Sequence, residues 1–146
     1  MQLVPKATYL AMIRNSVGTK MFRYNYALVD GIEQNLVRDG ELSCAFFVSF
    51  MLRGFGLIKE LHLRTAGTVR DLEASGWRKT DMPHEGDVVI WEEKQQKSGV
   101  YLHSGFYVNE QTAISHWDQH CTPVEHSLTF DGTRKVTGYY THDFLA

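Results

Sequence analysis

The sequence predicts an α+β domain, and three observations carry that expectation. Apolar residues recur at helical spacing early in the chain, whereas short runs rich in valine, isoleucine and tyrosine dominate later. The later runs follow one another through short connections, which favours an antiparallel sheet. The most apolar helical run opens on a cysteine, Cys44.

Leu10, Ile13 and Val17 share one helical face, and Gly18 can end that helix. Leu28, Ile32 and Leu36 repeat at every fourth position and predict a second helix. The polar residues from Arg38 to Glu41 make a turn. From Cys44 to Phe55 the chain is apolar nearly all round, the pattern of a helix buried on several sides. Gly54 and Gly56 are its stops. A short helix is expected from Val69 to Ser75, with Thr68 and Asp71 resembling a capping box and Gly76 following. Strands are expected at Asp87–Trp91, Val100–Val108, Thr112–Trp117 and Lys135–Thr141, with a polar loop from Glu92 to Gly99. No repeat, low-complexity tract or linker interrupts the chain, so residues 1–146 read as a single domain.

A chain of 146 residues buries roughly two thirds of its unfolded surface and can hold a substantial core. Hydrophobic residues make up 43% and charged residues 22%, the balance of a globular protein. The formal net charge is −2, without a basic run or stripe, which argues against a nucleic-acid partner. No apolar run approaches the length of a membrane span. The N-terminus lacks a basic start followed by a long apolar stretch, so no signal peptide is read. That leaves the cytoplasm or export by a route not encoded in these residues. Cys44 and Cys121 sit in unlike contexts, one at a helix start and one in a polar stretch, and are not expected to pair.

A cysteine nucleophile acts as the thiolate. A helix N-terminus favours that charge, and its free N–H groups can also hold the oxyanion formed when sulfur attacks a carbonyl. Cys44 occupies such a position. The matching base is His103, in the run Val100 to Val108. Alternation places Tyr101, His103, Gly105 and Tyr107 on one face, and Gly105 leaves room for a helix or substrate. The base needs a third group to fix its tautomer. His116 on the next run is the expected one, with Asp118 as runner-up and Asn109 a weaker option. Ser115 is expected to face the other way. Trp117 is placed at the pocket rim.

These residues resemble the NlpC-type family, papain-like cysteine peptidases of bacterial cell walls. The family's Asp-Cys-Ser-Gly-Phe-Val helix motif is similar to Ser43-Cys44-Ala45-Phe46-Phe47-Val48. Its Pro-Gly-Asp strand motif is similar to the stretch from His84 through Gly86 and Asp87 to Trp91. Its His-Val-Gly-Ile-Tyr strand is similar to His103-Ser104-Gly105-Phe106-Tyr107. The similarity runs from about Asp39 to Tyr140. It implies a papain-like fold with N-terminal helices and a buried helix starting at the nucleophile, packed on an antiparallel sheet. It also implies a Cys44–His103–His116 triad, no metal and no organic cofactor. Ser43 replaces the family's Asp, and Ala45-Phe46 replaces its Ser-Gly. In the family these neighbours help bind the free amine of a peptidoglycan stem peptide. Ser43, Tyr24 and Tyr26 are the residues that would line the corresponding pocket here.

The expected activity is therefore amide cleavage through a thioester, with a peptide or peptidoglycan fragment as substrate. The rival expectations are a thiol amidase or acyltransferase acting on another acyl group, and a catalytically silent binding module on the same scaffold. His116, His120, Cys121 and His126 lie close in sequence and include zinc-ligand types, a weaker expectation because no Cys-x-x-Cys pair accompanies them.

Overall fold

Helix α2 (Cys44–Gly54) forms one wall of the core, because seven of its eleven residues are buried. The computed structural model describes all of residues 1–146. Helix α1 (Pro5–Asn15) precedes a two-stranded hairpin, β1 (Tyr26–Val29) and β2 (Ile32–Asn35). After α2 come α3 (Thr65–Ala74), β3 (Arg78–Thr80), β4 (Val88–Gln96), β5 (Gly99–Tyr107), β6 (Thr112–Trp117), β7 (Thr122–Ser127) and β8 (Val136–Thr141). The large sheet has the order β3-β8-β4-β5-β6-β7, and all of its pairs are antiparallel. The molecule is thus α+β, with three helices and antiparallel sheets. No helix is long and apolar enough to cross a membrane.

Three local expectations are corrected. Leu28 and Ile32 lie in a hairpin, not a helix, and both are exposed. Asp30 and Gly31 each have positive φ, which makes the two-residue turn that suits a right-twisted ladder. The polar residues after Trp91 continue β4 as far as Gln96, because β5 supplies a partner ladder out to Gly99. Helix α3 begins at Thr65, and Asp71 does not cap it. Asp71 instead accepts hydrogen bonds from the N–H groups of Lys59 and Glu60, from Ser75 Oγ and from His62 Nε2.

The sheet separates two apolar clusters. Val88, Ile90, Phe106 and Ile114 face the helices, packing with Phe47, Leu52, Tyr9 and Leu72. Val89, Trp91, Tyr107, Ala113 and Phe130 form a smaller cluster on the other face. Helix α1 docks through Tyr9, whose hydroxyl donates to the Gly86 carbonyl at 2.7 Å. A Cβ on Gly86 would lie 2.7 Å from Leu10 and 2.9 Å from Tyr9, and its φ of +92° also favours glycine. The glycine–aspartate pair at this strand start is therefore structural. Asp87 is fully buried and accepts the His84 N–H at 2.7 Å.

Two irregularities shape the site. Between Trp91 and Lys94 the β4–β5 register shifts by one residue, a bulge on β4. In addition, β5 and β6 pair only at Phe106–Ile114 and Tyr107–Ala113. Beyond those pairs the two strands part, with β6 staying on β7 as far as Trp117–Thr122. The sheet opens there.

Candidate functional site

The opening is a cavity of about 370 Å³, in the range of small-ligand sites. Cys44 enters it from α2, His103 from β5, His116 and Trp117 from β6, and Arg134 from the loop before β8. Asp118 also lines it.

Cys44 is the first residue of α2 and is half-buried. No side chain caps this helix, and its first turn carries no acidic residue. The first-turn N–H groups are therefore available to an anion arising at sulfur or at an attacked carbonyl. The sulfur's polar neighbour is Thr65 Oγ1 at 3.8 Å, which in turn lies 3.2 Å from Ser104 Oγ. Both cysteines are free thiols.

His103 is buried against Trp91, with ring centroids 5.1 Å apart, and against Phe130 at 5.5 Å. Its Nε2 lies 2.8 Å from Ser115 Oγ, and Ser115 Oγ lies 2.6 Å from His126 Nε2. His126 Nδ1 lies 2.8 Å from the Ser127 carbonyl. That carbonyl only accepts, so His126 carries its proton on Nδ1. Its Nε2 then accepts the Ser115 hydroxyl proton, and Ser115 Oγ accepts from His103 Nε2–H. The network thereby leaves the lone pair of neutral His103 on Nδ1. That nitrogen has no hydrogen-bond partner in the protein and, unlike both nitrogens of His116, is not sealed inside it. Burial, followed by the nearby Arg134 cation, holds the His103 pKa well below its usual value. The imidazole is therefore neutral near pH 7.

The expected third residue is corrected. His116 makes no hydrogen bond to His103. The turn at Asn109–Thr112 sets Tyr107 opposite Ala113, so Ser115 and not His116 shares the His103 face. His116 points toward α2, with its ring centroid 6.2 Å from Phe22 and 6.4 Å from Phe47. Both of its nitrogens are buried without a close hydrogen-bond partner, and burial followed by the Arg23 charge, only partly offset by the nearby Gly40 backbone, lowers its pKa to about 4. Asp118 makes no hydrogen bond to His103, and the Asn109 side chain is spent on the N–H groups of Gln111 and Thr112. Cys44 and His103 share the cavity without a hydrogen bond between them. They approach it from opposite faces of β5, since Cys44 leads through Thr65 to Ser104, which lies across the pleat from its chain neighbour His103.

The expected substrate contacts also divide. Trp117 lines the cavity as expected. Ser43 is buried, and its hydroxyl donates to the Phe22 carbonyl at 2.5 Å, so it is not offered to a ligand. Tyr24, just before the hairpin, and Tyr26, the first residue of β1, are exposed with parallel rings 6.0 Å apart and do not line the cavity. Gly105 makes room for β6 rather than for substrate: a Cβ there would lie 2.7 Å from the Ile114 carbonyl and 2.7 Å from Ser115 Cβ. The histidines and Cys121 do not gather, and no group of three metal-ligating side chains converges anywhere. His120 packs on Trp117, while Cys121 Sγ donates to the Asp118 carbonyl.

Sequence reasoning set Ser115 on the wrong face, weighed His126 only as a zinc-ligand type, and gave Thr65 and Arg134 no place in the site. For Ser115 the missing signal is the tight Asn109–Thr112 turn, which fixes the β5–β6 register. No protein-family model matches this chain, and no curated protein matches it.

Burial lowers the pKa of His103, His116 and His126 together. In the unfolded chain these rings protonate near pH 6.5, whereas in the folded chain they resist protonation. Stability is thus full above that pH and falls as pH drops toward the folded values. His116 alone is expected to cost about 2 kcal/mol between pH 7 and pH 5. Urea unfolding at the two pH values checks this. His116→Phe, which sets a ring among Phe22 and Phe47, should flatten the dependence, and an unchanged slope in that variant would contradict the assignment.

Proposed function

We propose that this protein is a cysteine hydrolase that cleaves an amide bond through a thioester on Cys44. The observation that carries the reading is the relay from the Ser127 carbonyl through His126 and Ser115. It leaves an unprotonated, unpartnered lone pair on His103 Nδ1, beside a cavity that also holds a thiol at an uncapped helix N-terminus. In this reading a water or substrate group in the shared cavity carries the Cys44 proton to His103 Nδ1, because the two side chains reach the cavity from opposite faces of β5. The thiolate attacks the amide carbonyl, and the first-turn N–H groups of α2 hold the oxyanion. His103, now a cation stabilised through Ser115, gives its proton to the departing amine. Water activated by the neutral imidazole then releases the acid from sulfur. Ser115 and His126 are positioning residues, which replace the expected role of His116.

The NlpC-type resemblance supports a peptidoglycan stem peptide or a related cell-wall peptide as substrate, on a papain-like fold. A second reading, a thiol amidase or acyltransferase acting on a different acyl group, is favoured by Ser43. Its hydroxyl is tied to Phe22 and is not available to a stem-peptide amine. Incubation with stem peptides and simple amides, quenched in acid and followed by intact mass spectrometry, tests the proposal. An acyl mass added at Cys44 and lost with time is the expected result. Product formed without any requirement for Cys44 would overturn it.

A further inference from the structure

Arg134 carries a buried charge that the hydrolase chemistry above does not use. Only 7% of its surface is exposed. Its Nε donates to the Glu92 carbonyl at 3.0 Å and its Nη2 to the Tyr101 carbonyl at 2.7 Å. These bonds clamp the bulge on β4 to β5. The protein's ion pairs are Arg14–Glu85, His62–Asp71, Arg78–Asp143 and His84–Asp87, so no carboxylate neutralises Arg134. Two carbonyl acceptors call for hydrogen-bond donors, not for a full positive charge, and a buried charge without a counter-ion is costly. The remaining nitrogen, Nη1, has no partner and is not sealed from the cavity. Cys44 and His103 both lie within electrostatic reach of the guanidinium. Its position is therefore that of a fixed cation beside the reacting groups.

We infer that Arg134 binds a carboxylate of the substrate, and that the cavity selects amide substrates carrying one free carboxylate near the scissile bond. This rests on the cysteine-hydrolase reading of the same cavity. A guanidinium whose other edge is already fixed presents its free donors in a set direction, which suits a carboxylate. The acidic groups around the cavity narrow the class further. Glu41, Glu93 and Asp118 line it alongside the exposed Arg64, and Asp118 and Glu92 are near enough to influence Arg134. Their charge disfavours a polyanion such as a phosphodiester chain. A peptide with a single carboxylate, presented to the one buried cation, meets both conditions.

The test uses Cys44→Ala, which binds without turnover. Calorimetric titration compares N-acetyl dialanine, N-acetyl glycyl-lysine and N-acetyl alanyl-phenylalanine as free acids with the same dipeptides as carboxamides. The acid form of at least one should bind about tenfold or more tighter than its amide. Adding Arg134→Gln should erase that preference, while Arg134→Lys, which keeps the charge and loses the fork, should retain part of it. Equal affinity for acids and amides, a preference that survives Arg134→Gln, or no binding of either form would overturn the inference. If Arg134→Gln fails to fold, the comparison of acid and amide on the arginine-containing protein still decides. Binding is read with the nucleophile removed, so failure here leaves the acyl-enzyme test of the hydrolase reading standing, and the reverse also holds.

Discussion

Cys44→Ala is expected to lower kcat/KM for amide hydrolysis by at least about a thousandfold, because no other group in the cavity can form the thioester. The fold should survive. Cys44 is half-buried, its sulfur touches only Thr65 among polar groups at 3.8 Å, and alanine is at home in the first turn of a helix. Stability should change by no more than about 1 kcal/mol. Steady-state kinetics and thermal unfolding of the purified variant measure the two effects. Wild-type turnover in this variant would remove the mechanism altogether, whereas loss of turnover together with loss of fold would assign Cys44 a structural role.

Trp91→Ala should have the largest effect on stability, about 3–5 kcal/mol. Trp91 is fully buried, its Nε1 donates to the Leu128 carbonyl at 2.7 Å, and its ring packs against those of His103, His126 and Phe130. Its removal opens a large void on the face of the sheet that carries the relay, and leaves the Leu128 carbonyl without its donor. For a chain of this length the melting temperature should fall by roughly 10–20 °C. Trp91→Phe keeps part of the packing and should lose less. Should Trp91→Ala unfold within a degree or two of wild type, the smaller cluster would not be a rigid support for His103.

The parts of the fold that are legible in the sequence are those with long, unambiguous periodicity. The run from Cys44 to Gly54 is apolar on nearly every side, and it forms the central buried helix. Thr112 to Trp117 is bounded by turn residues and forms a strand with those limits. The hairpin at Tyr26–Asn35 is misread because Leu28 and Ile32 mimic a helical repeat, although Asp30-Gly31 between them signals a tight turn. The short strand β7, from Thr122 to Ser127, carries Pro123 and the charged Glu125, and its pairing comes from β6 rather than from its own pattern. The site shows the same division. Cys44 and His103 stand out as chemistry-bearing residues in recognisable local settings. Their partners depend on register: one pleat decides that Ser115, not His116, meets His103, and a long-range pairing brings His126 behind it. Arg134 is harder still, since its role follows from a bulge in β4 that no local pattern marks.

The central claim is that the lone pair of His103 Nδ1 activates Cys44. The most direct test is the pH dependence of Cys44 alkylation by iodoacetamide, followed by mass spectrometry in wild type, His103→Ala and Ser115→Ala. Alkylation of wild-type Cys44 should persist well below the pH at which an ordinary thiol reacts, about pH 8.5. His103→Ala should abolish this low-pH reactivity, and Ser115→Ala should weaken it. A Cys44 that reacts in all three proteins only as a free thiol does would contradict this activation.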